Sequence, residues 1–177
     1  MLEAKMIKVG DQLPAATLWE IVPSEDGACS AGPQAVVIAE AVQGKKIVVV
    51  GVTGAFTQTC SKQHVPEYLN LASHFRNLGI DEIWCVAVND AYVMLAWGYQ
   101  LGTTDQIRML SDGNAEFTQA LGLVRDLTGK GMGVRSQRYS MLLVDGVVKV
   151  LNIEPVGKFV VSDAQQLYIQ AQGALDN

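Results

Sequence analysis

Residues 46–52 read Lys-Ile-Val-Val-Val-Gly-Val, an uninterrupted β-branched run of strand length. A strand with one solvated face alternates apolar and polar side chains. A run without polar breaks belongs to a strand covered on both faces, and helices on both sides of a sheet supply that cover. The rest of the chain is patterned to build such a sheet. From Cys60 to Leu78, apolar residues fall at Val65, Leu69, Ala72 and Phe75, which is helical spacing. Pro66 inside that segment is expected to kink or restart the helix. Glu82 to Val88 reads as a second buried strand, and Asn89 and Asp90 as caps for a helix running to about Leu101. Ala16–Ile21 and Ile107–Leu110 read as strands, and Asn114–Leu121 as a short helix. Arg138–Val144 and Val147–Leu151 read as strands joined by Asp145-Gly146, a hairpin signal. Ser162 with Gln165 predicts a capping box that opens the last helix. The Gly-rich stretch from Pro23 to Pro33 predicts an exposed loop. Strand–helix–strand units followed by a hairpin and a final helix predict an α/β fold with a central mixed sheet flanked by helices, thioredoxin-like first and flavodoxin-like second.

The 177 residues, 49% hydrophobic and 18% charged, suit one packed domain and exclude a disordered chain. A chain of this length buries roughly 70% of its unfolded surface and needs no disulfides to fold. No apolar run approaches the roughly 20 residues that span a bilayer. Thirteen basic against eighteen acidic residues, a net charge of −5, argue against nucleic acid as a partner. The N-terminus lacks the pattern of a secretion or transit signal, so the cytosol is the expected compartment. Cys29, Cys60 and Cys85 fit neither a disulfide framework nor a zinc site and are expected to be thiols.

Cys60 follows the strand at 46–52 through the turn Thr53-Gly54-Ala55-Phe56 and falls in the first turn of the next helix. Free N–H groups and the positive end of the macrodipole favour a thiolate there over a thiol. Thr57 stands three residues earlier, where its hydroxyl caps the helix, faces the sulfur, or alternates between the two. Read from position alone, a reactive Cys60 and a merely buried one both remain open.

Gly54-Ala55-Phe56-Thr57-Gln58-Thr59-Cys60-Ser61 resembles the peroxidatic loop of the type II, peroxiredoxin-five-like peroxiredoxins. Trp84 to Asp90 with Ala96-Trp97-Gly98 is similar to that family's next strand and helix. Gly131 to Ser140 resembles the segment that carries its essential arginine, and Asp145–Val148 with Asn152–Pro155 its late hairpin. The resemblance spans about Ile7 to Leu167. It implies a thioredoxin-like fold and a thiol-dependent peroxidase acting on hydrogen peroxide and alkyl hydroperoxides. Cys60 is then the peroxidatic cysteine, Thr57 its hydroxyl partner and Arg138 the guanidinium at the thiolate. No metal or cofactor is implied. The implied partners are the peroxide, an external thiol reductant (glutaredoxin with glutathione, or thioredoxin) and a second copy of the chain in a homodimer.

Two departures stand out. The motif proline is Thr53 here, and a second common proline is Gln58. Thr53 either loosens the site to water or brings a hydroxyl to the sulfur, and the first is the expectation. No cysteine follows the Asn-x-Glu-Pro segment, which points to a single working cysteine with its sulfenic acid reduced from outside. The other function class in play is a thioredoxin-fold binding or holdase protein whose peroxidase activity faded with that proline. A cysteine hydrolase built on Cys60 and His64 lacks an orienting partner. Cys60 and His64 alone are too few ligands for a metal, so His64 is expected to pack or face solvent. Gly129–Gly133 is expected to be a flexible loop rather than a phosphate site. The basic stretch Arg125, Lys130, Arg135 and Arg138 is expected to be solvated surface charge.

Overall fold

The computed structural model describes residues 5–23, 32–103 and 105–176. Most of the Pro23–Pro33 loop, Cys29 included, lies outside the described residues.

The chain runs β1 (Thr17–Glu20), β2 (Gln34–Val37), α1 (Ile38–Ala41), β3 (Lys46–Gly51), a π-helical turn (Cys60–His64), α2 (Val65–Asn77), β4 (Glu82–Ala87), α3 (Ala91–Leu101), β5 (Arg108–Ser111), α4 (Glu116–Ala120), β6 (Val124–Leu127), a 3₁₀ turn (Thr128–Lys130), β7 (Gly133–Ser136), β8 (Tyr139–Val144), β9 (Val147–Ile153) and α5 (Ala164–Leu175). Seven strands form one sheet in the order β2-β1-β5-β4-β3-β8-β9. β3, β4 and β5 are parallel, and the remaining pairings are antiparallel. This is the expected mixed α/β sheet of thioredoxin-like order.

The apolar run of β3 is explained by what covers it. Val48 and Val50 pack with Tyr68 and Phe75 of α2, Trp97 of α3 and Leu167 of α5. Ile47 and Val49 point the other way, into a second core with Ile38 of α1, Phe117 of α4 and Trp84. Both sets are fully buried. None of the described helices is long and apolar enough to cross a membrane.

Several local expectations match. Asp90 caps α3 by accepting from the Val93 N–H at 2.9 Å, and Gly102 closes it in the left-handed region. Asp145 and Gly146 both have positive φ, 51° and 76°, as a two-residue turn matched to strand twist requires.

Other features differ from expectation. The last helix is capped by Asp163, which accepts from the Gln166 N–H at 2.9 Å, one residue beyond the predicted Ser162–Gln165 box. Ser162 is instead drawn inward, its hydroxyl donating to Glu154 Oε1. Gly129–Gly133 is the connection of a hairpin between β6 and β7, with Gly131 and Gly133 at positive φ. Arg135 on β7 is tied down, donating to the carbonyls of Met132 and Val88, rather than left as free surface charge. Pro66 does restart the helix. It cannot donate to the carbonyl of Lys62, so the turn before it widens, and Val65 N–H reaches back five residues to the Cys60 carbonyl.

Candidate active site

β3 ends at Gly51, beneath a tight loop. Ala55 N–H donates to Asn89 Oδ1 at 2.9 Å, tying the loop to the end of β4, and Phe56 turns through a positive φ of 62°. A Cβ on Gly54 would lie 3.3 Å from Thr57 Cγ2 and 3.4 Å from Arg135 Nη1, so the loop is packed tightly against both side chains at this glycine. Helical geometry opens at Gln58, and Cys60 is the third helical residue. Cys60 therefore stands in the first turn, whose N–H groups have no partners inside the helix, at the carboxyl end of a parallel strand.

Cys60 is fully buried. Arg138 Nη1 donates to its Sγ at 3.3 Å, across 78 residues of chain. The link is made by strand pairing. β8 runs antiparallel to β3 with Gly51 opposite Tyr139, which leaves Arg138, the residue before β8, beside the loop that β3 feeds. The guanidinium carbon lies 5.7 Å above the Phe159 ring.

The hydroxyl at the sulfur is that of Thr53, with Oγ1 3.6 Å from Sγ. Thr53 is 7% exposed, so it adds a polar group to a closed site rather than opening the site to water. Thr57 keeps its hydroxyl on the Gly54 carbonyl at 2.8 Å, leaving its oxygen lone pairs for another donor. Ser61 Oγ accepts from Trp97 Nε1 at 3.0 Å, pinning the helix start to α3.

His64, expected to pack or face solvent, is fully buried within the site. Its Nδ1 lies 3.4 Å from Arg138 Nη1, and its Nε2 lies 3.1 Å from the Ser162 carbonyl. Burial first, and then the neighbouring Arg138 charge, lower its pKa to about 3, so the ring is neutral. The spacing of four from Cys60 was the only sequence signal, and the partner that gives it meaning comes from β8. Glu154 Oε1 accepts the N–H groups of Val160, Val161 and Ser162 at 2.7 to 2.8 Å. Cys85 sits mid-β4, opposite Val50 and Met109, and burial pushes its thiol pKa well up.

The site thus joins a buried sulfur, a permanent cation and the Thr53 hydroxyl, with the Thr57 hydroxyl held on the loop before them. Such a set can hold a thiolate and stabilise negative charge leaving it.

Comparison with known proteins fits this geometry. The Redoxin family pattern matches residues 8–168. The chain is 47% identical over 163 residues to the chloroplastic peroxiredoxin-2E of Arabidopsis thaliana, covering 91% of this chain and 68% of that protein. Reduced Prx3 of Vibrio vulnificus, solved in complex with hydrogen peroxide, is 43% identical with a TM-score of 0.85, covering 94% of this chain and 99% of that one. Peroxiredoxin 5 of Alvinella pompejana is 35% identical with a TM-score of 0.80, covering 94% and 99%.

Proposed function

The chain belongs to the Redoxin family and is a peroxiredoxin of the type II group, a thiol peroxidase, and from this we propose that Cys60 is the peroxidatic cysteine, with Arg138 and Thr57 as its partners. The observation that carries the reading is the 3.3 Å approach of Arg138 Nη1 to Cys60 Sγ at a helix start.

The Cys60 thiolate attacks one oxygen of the peroxide. The S–O bond forms as the O–O bond breaks, the sulfur is oxidised to a sulfenic acid, and the distal oxygen leaves as hydroxide or alkoxide and takes up a proton. Arg138 holds the thiolate before attack and faces the charge that develops during it. Thr57 Oγ1 donates to Gly54, so it meets the peroxide as an acceptor for the peroxide's O–H. Two equivalents of an external thiol then restore the cysteine, releasing water and a disulfide. Cys85 supports an external reductant, because burial in β4 pushes its thiol pKa well up and disfavours the thiolate that a resolving cysteine must supply.

Stopped-flow peroxide reduction, with glutaredoxin–glutathione and thioredoxin supplied separately, tests the reading. Turnover with at least one donor, lost in Cys60→Ser, is expected. No turnover with either donor would sink it. We further propose a homodimer formed near the reactive loop, where Phe56 and Tyr92 are half exposed. Sedimentation at micromolar concentration should give twice the chain mass, and a monomer would end that proposal.

A further inference from the structure

We propose that His64 is a positioning residue for the peroxide step: its Nδ1 accepts from Arg138 and holds the guanidinium on the Cys60 sulfur. The inference rests on Arg138 acting at Cys60. An arginine side chain has donors only. The 3.4 Å contact between Arg138 Nη1 and His64 Nδ1 is a hydrogen bond only if Nδ1 carries no proton. The ring's one proton then sits on Nε2, which faces the Ser162 carbonyl at 3.1 Å, an acceptor only. Both ends of the ring require the same tautomer. The tautomer is assigned by this network, because each partner has one possible role.

The far end of the ring is anchored. Ser162 Oγ donates to Glu154 Oε1 at 2.9 Å, so it turns a lone pair towards Nε2 at 3.3 Å. The same carboxylate oxygen clamps the backbone of residues 160–162. Phe159, immediately before this segment, packs edge-on against the imidazole at 5.0 Å and lies beneath the guanidinium. The Arg138 carbonyl accepts from Glu154 N–H at 2.9 Å, so the arginine's backbone and its side chain answer to one strap. Nη1 has two hydrogens. One goes to the sulfur and the other to His64, and together they fix the swing of a long side chain. With His64 gone, one hydrogen loses its acceptor and the guanidinium can leave the sulfur.

His64→Asn and His64→Gln separate this from simple packing. The Asn side-chain oxygen superposes on Nδ1, so Asn keeps the acceptor for Arg138. The Gln amide reaches the Nε2 position, so Gln keeps the Ser162 contact and loses the one to Arg138. The readout is the single-turnover rate of Cys60 with hydrogen peroxide, beside thermal unfolding. His64→Gln and His64→Leu should slow it about 10- to 100-fold, the scale of a misplaced catalytic group, while Asn recovers most of the loss. In an Arg138→Ala background, His64→Leu should cost nothing further. Equal rates for Asn and Gln, or a full His64→Leu penalty without Arg138, would overturn the inference while leaving Arg138's own role intact. An Arg138→Ala enzyme as fast as wild type would instead remove that role, and this inference with it. If the Leu variant fails to fold, the Asn–Gln comparison still decides.

Discussion

Thr53 Oγ1 lies 3.6 Å from Cys60 Sγ, so the residue standing where the family carries proline presents a hydroxyl to the sulfur inside a closed site. A hydrogen bond of this kind contributes about 0.5–1.5 kcal/mol. Thr53→Val, which keeps the shape and loses the hydroxyl, should therefore slow the peroxide step roughly 2- to 10-fold. Thr53→Pro should slow it too. A faster Thr53→Pro enzyme would mean that the hydroxyl restrains the sulfur rather than helping it.

Cys60 should be the only cysteine that turnover requires. Cys29→Ser and Cys85→Ser are expected to keep most of the peroxide consumption supported by an external thiol, and Cys60→Ser none. Mass spectrometry of the peroxide-treated protein should show a sulfenic acid at Cys60. A Cys60–Cys85 disulfide under the same conditions would replace the single-cysteine scheme.

Arg138→Ala should lower the second-order rate with peroxide by a factor of about 100–1,000, the usual loss for one charged donor at a developing anion. Arg138→Lys keeps the charge but loses the rigid planar group that fixes the direction of its donors, so it should fall in between. An unchanged rate would separate the guanidinium from the sulfur's chemistry.

Acid stability reports on His64. Its folded pKa is about 3 against 6.5 for the free side chain. Between those values the unfolded chain binds a proton that the folded one refuses, so stability is present above pH 6.5 and falls as pH drops towards 3. The slope from this group is up to about 1.4 kcal/mol per pH unit. The depressed Glu82 and Glu154 carboxylates add acid sensitivity to both proteins. The difference between wild type and His64→Asn is therefore the measure. Urea midpoints should fall less steeply between pH 6 and 4 in the Asn variant, and parallel lines would show a histidine that titrates normally.

The local pieces of this site were legible in the sequence because their causes are local. Val48 to Val50 declared a doubly covered strand, Asp145-Gly146 a turn, and Cys60 a helix start. What escaped depends on partners far along the chain. His64 looked like packing because Arg138 and Ser162, which define its two nitrogens, lie more than seventy residues away. Ser162 carried a valid capping pattern, but Glu154 drew its hydroxyl into the interior and the cap passed to Asp163. The β6–β7 hairpin was hidden because its strands are short, charged and only partly buried, with neither apolar alternation nor a two-residue turn to betray them.

The Tyr139 ring lies across Gly51 in the space that any larger residue's Cβ would need. These two positions face each other where β3 hands over to the cysteine loop and β8 begins, immediately after Arg138. They work as a jig, clamping two parts at a point that neither the sulfur nor the guanidinium touches. This makes position 51 a silent point of failure: alanine there would leave every reacting group chemically intact and still set the strands that carry them out of true.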